Sequence, residues 1–543
     1  MRRSRAVIAL VVLSLVAAAC SGGGGPKTPS QATGADEPRY GGTLVVASAD
    51  PGALNPAITT SGITHPVTGQ IFNGLVRLDR DFKPQPDLAK SWDVSDDLRT
   101  YTFHLEEGVT WHDGQPFSSD DVKFSFDQVL VQFSQRTRAA LGPVLDSIVT
   151  PDPNTVVFNL KAPYAPLLEL LDEDNGAIIP KHLYEGTDPL TNPANAKPVG
   201  TGPFMFESEQ KGAQLTLVRN PNYFKEGQPY LDQIVFRIIP SPPQSLQALQ
   251  TGEVNLILFP IPPLVDQLRK MPDVVVTEDG REGFARVIRL IPNLRRKPFD
   301  DVRVRQAMAY AIDRDFIAKT VYAGLFQPAT GPISRGLEWA YTDDVQKYPR
   351  DLDKARALLD DAGLKPGPDG VRLRSSFIFD QSFAPAADLL KQQLGEVGIV
   401  LDLQLMDFNA WVKKLYIDWD FDLGYSQLTD PPDPDFGAKS VFTCANIVKV
   451  PFVNGEGYCN PSVDDLFARA AAETDRDARA KLYQQAQQVI VEEQPQIFLV
   501  DGIGPWAYSA QFRGFENAGS KAPYYFGHTV WDTKGSASPP SSG

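Results

Sequence analysis

Cysteine, histidine and methionine are scarce in this chain, at 3, 5 and 5 of 543 residues. Three cysteines cannot build a disulfide-dense scaffold, and no CxxC pair is present for redox or zinc chemistry. His104 and His112, eight apart in YTFHLEEGVTWHDG, could share a strand face, but packing is a better reading than metal ligation. GxSxG, HExxH and P-loop motifs are missing, which removes the common hydrolase, metalloprotease and nucleotide signatures. The near-match DGIGPWA, with Gly502, Gly504 and Ala507, leads into YSAQFRGF, which is no amphipathic helix. A pyrophosphate site is therefore unsupported. Positive charge is in deficit, with Lys+Arg 52 against Asp+Glu 67, a net charge of -15 and a pI near 4.9. Such a surface repels phosphate backbones and anionic lipid heads, so nucleic-acid binding is not expected. Carboxylates are plentiful, yet no pair stands out for acid-base catalysis.

What is present is a globular composition, 42% hydrophobic and 22% charged. At roughly 150 residues per domain, the length allows about two to four domains. Arg2, Arg3 and Arg5 precede an apolar stretch, Ala6 to Ala19, too short for the roughly 20 residues a bilayer requires. Residues 1–19 read as a signal peptide, and no later run is comparable. Ala17, Ala18 and Ala19 lead directly to Cys20, an ending that resembles a bacterial lipobox, with Ala17 where Leu is usual. Cys20 is therefore the candidate lipidation site, and residues 20–39, rich in Gly, Ser and Pro, read as a flexible tether. Losing the three signal arginines takes the net charge from -15 to about -18. Cys444 and Cys459 remain. In an exported protein a disulfide closing their loop is favoured over a metal site, since no histidine lies nearby.

The first half is rich in short β-branched and aromatic runs with Pro, Gly and Asn punctuation, such as GTLVVASA, RTYTFHLEEGVTW, NTVVFNL, AQLTLVRN and LDQIVFRIIP. These read as strands. Helical periodicity dominates later. DDVRVRQAMAYAIDRDFI places Val304, Met308, Ala311 and Ile312 on one face behind Asp300 or Asp301 as N-cap. DLDKARALLDDAG closes at Gly363, and AADLLKQQLGEVGI ends near Gly398 before the strand IVLDLQLMDF. DRDARAKLYQQAQQVIVEEQ is a helix followed by the strand IFLVDG. The chain is thus a multidomain α/β or α+β protein.

One acidic cluster is well placed. FDLGYSQLTDPPDPDFG reads as a strand, Phe421 to Leu428, that runs into a proline-stiffened loop carrying Asp430, Asp433 and Asp435. Open α/β sheets put ligand crevices at such carboxyl ends. An acidic surface turn is the plainer reading, and a calcium loop the poorest. Trp411 in FNAWVKKLY fits core packing at helical spacing better than an aromatic platform in a cleft.

Several long segments, in order, resemble the large extracellular solute-binding proteins of the peptide/nickel class that serve ABC importers. They include GGTLVVASADPGALNP, with Asn55 where Asp is usual, and IFNGLVRLDRDFKPQPDLAKSWDVSDDLRTYTFHLEEGVTWHDGQPFSSDDVKFSFDQVL. GTGPFMFESEQKGAQLTLVRNPNYFKEGQPYLDQIVFRIIP, QALQTGEVNLI, FDDVRVRQAMAYAIDRDFI and YPRDLDKARALLDDAGL complete the match. The resemblance implies an α/β, two-lobed periplasmic-binding-protein-like fold of type II, with an extra inserted domain and a ligand cleft between lobes that close by hinge motion. Lobe I is expected from residues 40–65, 190–283 and 502–535, with 66–189 inserted, and lobe II from 284–501; 536–543 is expected as a disordered tail.

It further implies a binding protein rather than an enzyme, with no catalytic residue, cofactor or resident metal. Partners would be a peptide-like solute, ABC permease subunits and the membrane through the N-terminal lipid on the outer face of the cell membrane, the protein acting as a monomer. Asp430 occupies the position of the aspartate that pairs with a peptide α-ammonium in peptide-binding members. Trp411 matches a cleft aromatic, and Tyr425 and Gln427 join it as candidate contacts, Gln427 falling where peptide binders carry Trp. Thr60, Ser61, Gly62 and Ile63 match a loop that contributes main-chain contacts. The same scaffold carries metal chelates, opines and sugars, so a non-peptide cargo stays open. An exported hydrolase on a carboxylate pair and a surface sensor or chaperone without a transport partner are the readings outside transport.

Overall fold

The computed structural model describes residues 37–539 apart from Thr60, Asp430 and Pro431. Two large sheets organise the chain. The first has seven strands, in the spatial order 274–277, 506–509, 256–257, 43–48, 233–238, 214–219 and 204–210. Thr43–Ser48 sits at its centre and runs parallel to both neighbours. The second has six strands, ordered 327–328, 497–502, 286–292, 423–429, 373–380 and 399–406. Its strand Arg286–Pro292 is antiparallel to both neighbours and reads RVIRLIP, buried on both faces after its first residue. A four-stranded antiparallel sheet, 89–94, 100–105, 155–160 and 145–152, is built entirely from the segment between the first two strands of the seven-stranded sheet.

The chain passes between the two large sheets at 278–285 and again at 503–505. Gly502 still belongs to the six-stranded sheet, paired with Arg286. The four-stranded sheet does not have a core of its own. Its Phe103 and Phe158, with Trp111 of the loop that follows, join Leu44, Phe236, Trp506 and others of the seven-stranded layer in one apolar cluster. Gly200 of the GTGPF stretch shows how tight that union is, because a Cβ there would lie 1.9 Å from the Ile71 carbonyl oxygen.

The helices start where aspartates cap them. Asp301, Asp351 and Asp475 accept from backbone N–H groups at the starts of Val302–Ala311, Leu352–Asp361 and Arg476–Glu493. Each such cap is worth about 1 kcal/mol. Val304, Met308 and Ala311 are buried as the periodicity requires. Gly363 adopts a φ of 82° just past the second of these helices. Two segments depart from expectation. The strand Thr100–Leu105 does not continue through GVTW, because Gly108 turns the chain at a φ of 74°. His104 and His112 therefore share no strand face. His104 contacts exposed Asp93 at 2.9 Å, and His112 is held by the backbone of Gly200 and Gly202, its pKa lowered to about 4 by burial. Ser536, expected in a disordered tail, exchanges backbone hydrogen bonds with Tyr40 at the other end of the chain. No helix among the described residues is long and apolar enough to cross a membrane.

Candidate functional site

The two crossovers mark where the chain joins the two large sheets, the region a ligand cleft between them would border. From one side comes the loop Ser61–Ile63, stiffened by the Ser61 hydroxyl accepting from the N–H groups of Ile63 and Thr64. Tyr524 stands beside it, its hydroxyl 3.6 Å from where a Gly62 Cβ would be, and stacks on His65 at 5.2 Å. From the other side come Arg286 and Thr429, cross-strand partners at the ends of their strands. Asp430 follows Thr429 but, like Thr60, Cys20 and residues 1–19, lies outside the described residues. The structure thus brings the Ser61–Ile63 loop and the end of the Leu423–Thr429 strand to the region of the crossovers.

Three cavities open around this region. Gly62 and Ile63 line an apolar one of about 220 Å³ with Leu258, Phe259 and Leu264. Gln427 lines another, of about 230 Å³, with Arg136, Phe436, Lys439 and Phe452. A third, of about 950 Å³, lies among Arg80, Glu282, Arg335, Trp339 and Asp501. The segment that carries the four-stranded sheet also touches residues between strands of the six-stranded sheet. Tyr164 donates to Asp435 at 2.7 Å, Gln135 to the Pro451 carbonyl at 2.6 Å, and the Ala165 N–H to the Ala471 carbonyl at 2.8 Å.

Two expected contacts, Trp411 and Tyr425, pack against each other. Trp411 is 3% exposed and stacks on Tyr425 at 5.1 Å, with Tyr416 and Phe452 around it. Tyr425 is itself buried and donates to Asp380 at 2.7 Å, while burial pushes its phenol pKa up. Both belong to the core of the six-stranded layer. Tyr425 and Gln427, two apart, share a face of their strand, along which Tyr425 is buried and Gln427 is exposed and lines a cavity.

The acidic turn is also not a solvated surface. Asp433 is fully buried and paired with Arg479, and it accepts from the Tyr483 hydroxyl at 2.8 Å. Asp435 pairs with Lys439 at 2.6 Å. These carboxylates anchor the loop after the strand. Cys444 and Cys459 form a disulfide, with Cα atoms 4.5 Å apart. Among the described residues no group of acidic, histidine or cysteine side chains is arranged to hold a metal ion.

The profile described as "Bacterial extracellular solute-binding proteins, family 5 Middle" matches residues 83–449. The chain belongs to that family. It is 30% identical over 485 residues to the dipeptide-binding protein of Escherichia coli K12, covering 84% of this chain and 89% of the relative. It is 28% identical to heme-binding protein A of Haemophilus influenzae, over 97% of this chain and 99% of that one. Among solved structures, the periplasmic binding protein DppA of Helicobacter pylori in complex with the peptide STSA superposes with a TM-score of 0.78 at 28% identity, covering 91% and 99% of the two chains. AgaA of A. tumefaciens in complex with agropinic acid gives 0.77 at 26%, covering 90% and 99%. The family is one of extracellular solute-binding proteins with the two-lobed, type II periplasmic-binding fold.

Arg281 and Arg286 were not among the residues the sequence singled out. Their only signal was basic side chains in and just before a strongly apolar strand, REGFARVIRLIP.

Proposed function

We propose that this protein captures a peptide-like solute between its lobes and delivers it to an ABC importer. The observation that carries this reading is that Tyr524, whose hydroxyl lies against Gly62, also packs on Phe284 of the first crossover at 4.7 Å, two residues before the Arg286 that pairs with Thr429. The similarity of nearly the whole chain to dipeptide-binding proteins supports it. Lobe I comprises 40–65, 190–283 and 503–535 with 66–189 inserted, and lobe II 284–502, a division supported by the strand membership of the two large sheets. The body is held at the membrane by a lipid on Cys20 and works as a monomer. Asp430 takes the solute's ammonium group, with Gln427, Ser61, Gly62 and Ile63 around it.

A desolvated ammonium needs a charged partner, and removing one member of such a pair costs on the order of 2–5 kcal/mol, about 30- to several-thousand-fold. Calorimetry with an equimolar di- and tripeptide mixture should therefore show Asp430→Asn weakened at least about 30-fold. N-acetylated peptides should lose as much in the wild type and little more in the variant, since both changes delete one interaction. Binding by Asp430→Asn within about twofold of wild type, under about 0.5 kcal/mol, would refute this role.

A further inference from the structure

One cavity combines an apolar lining with a place at the end of the seven-stranded sheet. Thr43–Ser48, Gln233–Ile238 and Leu256–Ile257 run parallel there, and their carboxyl ends meet the 220 Å³ cavity through Ser48, Ile239 and Leu258. Open α/β sheets bind ligands beyond such strand ends. Helices Pro242–Thr251 and Pro262–Leu268 border the cavity with Leu246 and Leu264, and Gly62 and Ile63 of the loop add to its wall. Ile63 and Phe259 are exposed at 43% and 40%, so the cavity communicates with solvent on their side.

The lining offers almost nothing to a polar group. Among the described residues no charged side chain contributes to it, and Pro66, Pro240, Pro242 and Pro260 have no N–H to donate. Ser48 and Ser245 supply its side-chain hydroxyls, and both already donate, to the carbonyls of Ala49 and Ser241. A charged group entering would lose its water and gain no partner. An aromatic ring fits, since an apolar cavity of only about 150 Å³ stays dry and takes benzene. The walls are held in place. Arg281 fixes two of them, donating to the Leu258 carbonyl at 2.5 Å with its guanidinium carbon 4.9 Å from the Phe259 ring. Phe259 also packs on Phe284 of the first crossover at 5.7 Å.

We infer that this cavity is a dry pocket, and that the transported solute carries a bulky apolar group, aromatic or branched aliphatic, which fills it. That the group belongs to a peptide rests on the reading above; the pocket itself rests on its lining. Burying a Phe or Leu side chain there is worth about 10- to 100-fold in affinity over leaving the space to Ala. An Asp or Lys side chain in the same place is desolvated without a partner and is rejected. The protein therefore selects among solutes by the apolar bulk of one group.

The test has two arms on the full mature protein. In the first, calorimetry compares Ala-Ala with Phe-Ala, Ala-Phe, Asp-Ala and Ala-Asp. At least one phenylalanine dipeptide should bind at least about 10-fold tighter than Ala-Ala, and the aspartate dipeptide of the same order should bind more weakly than Ala-Ala. Leu246→Trp, which fills the cavity, and Leu264→Asp, which charges it, should erase that preference. Both positions are half-buried, outside the fully packed core. Phenylalanine and alanine dipeptides that bind the wild type within about twofold of each other overturn the assignment of the solute's apolar group. In the second arm, thermal shift is read with toluene and no peptide. Toluene should raise the midpoint saturably in the wild type and leave both variants unmoved. An equal shift in wild type and variants overturns the pocket. If no dipeptide binds while toluene separates the proteins, the peptide reading fails and the pocket stands.

Discussion

Asp433 tests whether the proline-rich loop is held by charge or lies idle on the surface. Its side chain is fully buried, and one oxygen accepts from Arg479 while the other accepts from the Tyr483 hydroxyl and the Asp435 backbone N–H, each at 2.8 Å. Among the described residues, Glu169 is the other carboxylate paired with Arg479, at 3.6 Å. Asp433→Asn preserves shape but withdraws the charge and leaves Arg479 buried against a neutral amide. Breaking a buried pair from one side costs about 3–5 kcal/mol. At about 2–4 °C per kcal/mol for a unit of 150–250 residues, the midpoint should fall by roughly 6–20 °C. Urea unfolding should show a lower midpoint with an unchanged slope. Arg479→Gln should cost a comparable amount, and the two changes together clearly less than the sum, because each alone already removes the pair. A second double variant, Asp433→Leu with Arg479→Met, should lie closer to wild type than either single change. A loss under about 1 kcal/mol for Asp433→Asn, the range of exposed ion pairs, would refute the argument and return the segment to a solvated turn.

Three further outcomes follow from other residues. Glu456 is fully buried, and burial raises its pKa to about 7 against the attraction of Arg289 and Arg295. A carboxyl raised above its unfolded value contributes nothing below that value and penalises the folded state progressively as pH rises to the folded pKa. Glu456→Gln should therefore gain about 3 kcal/mol at pH 8 relative to wild type and nothing near pH 4.5; a pH-independent difference in denaturant midpoint would contradict this. The Cys444–Cys459 disulfide closes a separation of 15 residues, so the double serine variant should lose about 3 kcal/mol in urea unfolding, and a loss below about 1 kcal/mol would show that the loop is already ordered without it. Cys20→Ala should move the protein from the membrane fraction to the soluble fraction, and an N-terminus of the mature wild type without acyl mass would end the lipid-anchor proposal.

Local chemistry by itself determines much of this protein. Capping aspartates at 301, 351 and 475, the helical spacing behind them and the β-branched runs of the first half each act within a few residues. Those elements are therefore legible in the sequence, as is the family, carried by long ordered segments. Two cysteines left in an exported body are enough to expect their pairing. What the sequence could not decide is which side of an element each residue faces, and which distant groups meet there. Trp411 and Tyr425 lie near the acidic turn in sequence, yet layer packing stacks them against each other in the core. Asp433 and Asp435 looked like solvated charges because their partners lie elsewhere. Arg479 arrives on a helix 46 residues away, and Tyr164 from the inserted segment 271 residues away. The same holds for Arg281 and Arg286. Nothing local distinguishes them from other basic residues, and only the tertiary structure places Arg281, fully buried, and Arg286, half-buried, at the two crossovers, with no ion pair to either among the described residues.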